Sequence, residues 1–158
     1  MHARTRIGQH KLNLSISFLQ LVTVLSGIVM VIFLIWEPQT EGVNRSATNF
    51  EIYLQDPFLI LAYLGSIPFF ISLYQVYQLL GYTRQKRVVS TQSLKALRII
   101  RHCHLITIGA VIILEIIILL GPSDDHTGGL AIGLMISLVS LVVISLTTIL
   151  SSVINEPL

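Results

Sequence analysis

The sequence predicts an all-α integral membrane protein, a single bundle of four transmembrane helices with both termini in the cytoplasm. Three observations carry that expectation. Hydrophobic residues make up 53% of the chain and charged residues only 11%, with a mean hydropathy of +0.80. A soluble domain has about 25% charged residues, so a water-facing surface is excluded. The apolar residues gather in four runs, each near the roughly 20 residues that a helix needs to cross about 30 Å of hydrocarbon. Finally, lysine and arginine are distributed unevenly among the segments that join those runs.

The chain starts with a short basic tail carrying Arg4, Arg6 and Lys11. The first span is expected over 13–36. A basic start before an apolar run also describes a signal peptide, but this run is longer than a typical signal core and no small-x-small cleavage site follows. We therefore expect a retained span, with Trp36 at the far interface and Pro38 ending the helix. The outer loop, 37–56, sets Glu37, Glu41, Glu51 and Asp56 against the single base Arg45. Asn44-Arg45-Ser46 matches a glycosylation sequon, which we take as a chance match. Phe50–Leu54 suits a short interfacial helix. Asp56-Pro57 has the order of an N-cap followed by a first helical residue.

The second span is expected over 57–81. Pro68 removes a backbone hydrogen bond in its middle and should kink it, and the freed carbonyl calls for Ser66, Ser72 or another helix. Tyr74, Tyr77 and Gln78 share a helix face and form an aromatic belt at the inner interface. Next comes the stretch on which the topology turns. The loop 82–95 and the helix after it carry Arg84, Lys86, Arg87, Lys95, Arg98 and Arg101 with no acid among them. Ser90 or Thr91 is expected to cap the third helix, whose first turns form a basic extension of a span over 96–120. A turn with Asp124 and Asp125 follows, then a fourth span over 129–154. In that span Gly129, Gly133 and Ser137 recur every four residues, a small-residue face that lets another helix approach closely.

The charges agree with this order. Every lysine and arginine except Arg45 falls on one proposed side, and every acid except Glu115 and Glu156 on the other side or in the outer turns. The basic side is expected to be cytoplasmic. The alternative, three spans and one re-entrant segment, would separate the two basic regions or move the C-terminus across the membrane.

Chemistry is sparse. Glu115 lies deep in an apolar run, about 8 Å from the expected outer end of its helix. A carboxylate there must be protonated, paired or turned to a polar cavity. His102-Cys103-His104 suggests a metal site, but residues two apart on a helix point about 200° apart and cannot share one ion. We expect interfacial histidines beside a small buried cysteine. Asp124-Asp125-His126 reads as a solvated turn. Cys103 is the only cysteine, which excludes an internal disulfide. No phosphate loop, catalytic triad order or zinc-protease motif occurs. We expect no enzyme, no metal and no cofactor. The basic residues are the expected contact for anionic lipid headgroups or a cytoplasmic regulator, without direct nucleic-acid binding, and homo-oligomers fit the small-residue face. A second expectation is a subunit of a small transporter or ion pathway using Glu115.

DPFLILAYLGSIPFFISLYQVYQLL, a basic turn and then VVSTQSLKALRIIRHC resemble a group of small bacterial four-span membrane proteins, a domain of unknown function (the YoaS-like group). The likeness runs from about Leu54 to the C-terminus and is strongest at Pro68-Phe69-Phe70 with Tyr74 and from Ser90 to Cys103. The first span matches only as apolar. The resemblance implies a bacterial inner-membrane protein, often encoded beside a small helix-turn-helix regulator. It brings no activity and no catalytic residues.

Overall fold

A computed structural model describes residues 2–40, 57–85, 87–120 and 126–155. Four helices dominate: α1, His2–Thr40; α2, Pro57–Arg84; α3, Thr91–Leu120; and α4, His126–Asn155. Each holds a stretch long and apolar enough to cross a membrane: Gln9–Trp36, Leu59–Arg84, Thr91–Leu120 and Gly128–Asn155. A helix satisfies its backbone polar groups within one segment, as an apolar surrounding demands. The Asn44 sequon, the 50–54 segment, Asp56, Asp124, Asp125 and Lys86 lie outside the described residues, and the side chains of Arg4, Arg6, Glu37 and His126 are likewise not described.

Several boundaries differ from expectation, beginning with α1, which starts at His2 within the segment read as a basic tail. Helix α3 begins at Thr91, where the expected cap at Ser90 or Thr91 places it, whereas α2 continues three residues past its expected end to Arg84, so that more than half of the segment 82–95 is helical. Helix α1 does not stop at Pro38 but runs to Thr40. A proline within a helix leaves the carbonyl four residues earlier without its donor. Here that carbonyl belongs to Leu34, and the Tyr63 hydroxyl of α2 donates to it at 2.8 Å. A neighbouring helix thus replaces the bond that Pro38 removes.

The helices pack in chain order, α1 on α2, α2 on α3 and α3 on α4. Contacts climb one helix as they descend the next, so each pair is antiparallel. On α1 and α2, Leu34 meets Tyr63 and Gln20 meets Tyr77. On α2 and α3, Gly65 faces Ala110 and Ser72 faces His104. On α3 and α4, Ile118 covers Gly129 and His104 meets Ser140. The start of α1, the α2–α3 turn and the end of α4 therefore share one end of the bundle. Among the described residues, contact between α1 and α4 is at most marginal, which leaves the bundle open along that seam.

Helix α3 is the centre. Its buried residues Ser93, Leu97, Ile100, Cys103, His104 and Val111 recur at helical spacing, between α2 and α4. By contrast, Ile16 is the only buried residue among those described in α1. Apolar side chains such as Phe18, Val29 and Val139 point outward, at 63%, 64% and 60% exposure. In water that surface would aggregate, whereas in lipid it is the matching face.

The close approach of α2 to α3 gives a test. A Cβ on Gly65 would come within 3.2 Å of the Ala110 Cβ, while one on Gly109 meets nothing within 4 Å. Gly65→Leu is expected to destabilise the protein by about 1–3 kcal/mol through overpacking, and Gly109→Leu to leave its melting temperature in detergent unchanged. Equal melting of the two variants would contradict this packing.

Candidate functional site

Two polar assemblies stand out, one at the basic end and one inside the bundle. The first is the α2–α3 turn. The Gln85 N–H donates to the Gly81 carbonyl at 3.2 Å and the Arg87 N–H to that of Tyr82 at 2.9 Å. Ser90 is the N-cap of α3: its Oγ accepts the Ser93 N–H at 3.1 Å, while its carbonyl accepts the Leu94 N–H at 3.1 Å. Of the two residues expected to cap, Ser90 therefore does so. Ser93 is fully buried, and its hydroxyl donates back to the Arg87 carbonyl at 3.0 Å. The Ser90 hydroxyl, 3.0 Å away, is left to donate to Ser93 Oγ. Few conformations of the turn satisfy all these bonds.

Around this frame Arg84, Arg87, Lys95 and Arg98 are exposed and Arg101 is half-buried. Glu115, the one acid whose side chain is described, sits near the opposite end of α3. No described carboxylate neutralises the five cations. Between the arginines, Val89 is 76% exposed.

The second assembly was not foreseen. His104 is buried, and its Nε2 lies 3.2 Å from Ser72 Oγ on α2 and its Nδ1 3.1 Å from Ser140 Oγ on α4. Either neutral tautomer donates from one ring nitrogen and accepts at the other, and a hydroxyl can take either part. One side chain therefore joins three helices. Other hydroxyls mostly return to their own helix: Thr23 to Leu19, Ser26 to Val22, Thr107 to Cys103 and Ser145 to Leu141. Ser72 and Ser140 instead reach across to another helix. An interhelical hydrogen bond in a membrane contributes about 0.6 kcal/mol on average, so the larger stake is the cost of leaving the ring unpartnered in an apolar interior.

The other singled-out residues fall as follows. His102, two residues before His104, is exposed, and its Nδ1 donates to the Arg98 carbonyl at 2.7 Å. The pair diverges as helix geometry requires, but only His102 has the exposure expected of both. Cys103 is buried. Among the described residues, no group of three or more His, Cys, Asp or Glu side chains gathers to hold a metal ion. Pro68 is buried inside a continuous α2. Neither serine proposed for its freed carbonyl serves it, since Ser66 donates to the Tyr63 carbonyl at 2.7 Å and Ser72 pairs with His104. Gln78 donates to the Tyr74 hydroxyl at 2.7 Å, along the shared face that the sequence implies. Glu115 is half-buried and its carboxyl lies on Gly133, where a Cβ would collide with Oε1. Gly129 is covered by Ile118, whose Cδ1 would lie 2.8 Å from an added Cβ. Ser137 is half-buried, while Gly133, Ser140 and Thr147 are buried.

The model of a protein family of unknown function (DUF2975) matches residues 43–157. An uncharacterized membrane protein of Bacillus subtilis (strain 168), YoaS, is 31% identical over 150 residues, covering 91% of each chain. No solved structure matches.

The buried serine of the turn yields a prediction. Ser93→Ala leaves the Arg87 carbonyl without its donor and is expected to cost about 1–3 kcal/mol. Trypsin should then cut faster after Arg87 in the detergent-solubilised protein than in the wild type, and an unchanged cleavage rate would mean that Ser93 does not hold the turn.

Proposed function

The chain belongs to the DUF2975 family, and we propose that it is a non-enzymatic membrane protein that holds an anionic partner at its basic end. In this reading both termini and the α2–α3 turn face the cytoplasm, in accord with the lysine and arginine bias. The membrane is a bacterial inner membrane, and the partner is a cytoplasmic regulator with an acidic surface or the headgroups of anionic lipids.

One observation carries the reading. Arg84, Arg87, Lys95, Arg98 and Arg101 surround a turn fixed by hydrogen bonds to and from the buried Ser93, with no described acid to occupy them. Cations on a rigid frame lose little freedom on binding, and guanidinium groups match carboxylate and phosphate in two-point contacts. Helix length supports it too. At 28 and 30 residues, α2 and α3 exceed what the hydrocarbon requires by roughly 10–15 Å, enough to carry the turn past the headgroups. A second reading, transport, rests on Glu115, a half-buried carboxyl at the α3–α4 junction.

Purification of the tagged protein in gentle detergent from its native host, with mass spectrometry of what accompanies it, separates the readings. Docking predicts a stoichiometric partner that is lost when Arg84, Lys86 and Arg87 are changed to Gln and retained in Glu115→Gln. A partner that survives loss of the three charges would place docking elsewhere. Transport predicts instead that Glu115→Gln abolishes flux in proteoliposomes while folding is kept; undiminished flux would remove Glu115 from that role.

A further inference from the structure

We propose that the Ser72–His104–Ser140 bridge is a proton-operated clasp, which holds α2, α3 and α4 together while the His104 ring is neutral and loosens when the ring takes a second proton.

The argument begins with position. His104 lies about 20 Å along α3 from Thr91 and about 24 Å from Leu120, on the basic-end side of the apolar stretch and buried between α2 and α4. Its two hydroxyl partners come from different helices, so its charge state bears on both packing interfaces of α3 at once. In the neutral state the ring satisfies both serines without any net charge.

A protonated ring would find no counter-ion. From Leu59 to Thr83, α2 carries no charged residue, and its titratable groups are Tyr63, Tyr74, Tyr77 and Tyr82. From Gly128 to Asn155, α4 carries no titratable group at all. On α3 the neighbours are Cys103, the exposed His102 and, one turn away, the like-charged Arg101. Glu115 is eleven residues distant, roughly 16 Å along the helix. Helix α1 packs on α2, and among the described residues its contact with α3 or α4 is at most marginal. Both serines could turn to accept from an imidazolium, so the hydrogen bonds alone would survive. The unpaired charge would not be tolerated in a dry junction; it draws in water, and the helices must part to admit it. Histidine is the side chain whose ordinary titration makes such a change available under physiological conditions.

The chain contains its own reporter. Cys103, its single cysteine, is adjacent to His104 and only 6% exposed. The protein in liposomes is treated with a small membrane-permeant maleimide between about pH 7.5 and about pH 5, the span across which imidazole titrates. Each rate is divided by that of the detergent-denatured chain at the same pH, which removes the thiol's own titration. Normalised labelling is expected to rise at least about fivefold on acidification, the effect of a shift of roughly 1 kcal/mol in the closed state. His104→Asn keeps an acceptor and a donor for the two serines but cannot titrate, so its labelling should stay low and flat. His102→Asn should keep the full rise. A flat wild-type profile would overturn the proposal, whatever the variants do. So would a rise in His104→Asn equal to the wild type's, or loss of the rise in His102→Asn.

Discussion

A polar group in an apolar slab has no water to turn to, and the constraint on His104 organises the bundle. Two serines on different helices must lie within hydrogen-bond reach of one ring. That requirement fixes the rotation of α2 and α4 about their axes as well as their register against α3. The same rule acts on the backbone at Pro38, where the Leu34 carbonyl would be stranded without Tyr63. Apolar packing in lipid is nearly indifferent to which face of a helix turns inward. The few polar contacts, with close approaches such as Gly65 to Ala110, supply the discrimination.

This explains what the sequence could and could not reveal. The four spans were legible because run length in an apolar chain is a strong signal, and the basic segment because it contains no acid. The inward faces were much harder to see. A helix apolar all round has no stripe to follow, so the sequence does not tell His104 from His102 and leads to the same interfacial expectation for both. The four-residue rhythm of Gly129, Gly133 and Ser137 was visible in the fourth span, but the buried small residues are Gly133, Ser140 and Thr147, seven apart. A step of four drifts about 40° round an α-helix, whereas a step of seven drifts about 20°. The shorter step keeps Gly129 and Gly133 against α3, and the longer one carries the contact on to Ser140 and Thr147. The Tyr63 contact leaves no local trace, since its donor and its proline are on different helices.

Helix α3 joins the two polar assemblies in one rigid body. Its first turns hold Ser93 and the exposed Lys95 and Arg98, and the buried His104 follows less than two turns further on. Over so short a distance a helix transmits tilt and rotation with little loss. A displacement at one assembly would therefore be felt at the other through the helix itself, with no intervening loop to absorb it.

The attachment of α1 has a different kind of consequence. Two of its ties to α2 use main-chain carbonyls: Tyr63 donates to the carbonyl of Leu34, and Gln20 to that of Tyr77 at 3.4 Å. Any residue at position 34 would present the same oxygen, and any residue at 77 likewise. Most outward positions of α1 have only lipid to satisfy, so substitutions there can accumulate as long as they remain apolar. Helix α3, wedged between two neighbours, has no such latitude. Descendants of one ancestral bundle should thus diverge fastest at the first helix, and alignments should lose it earliest.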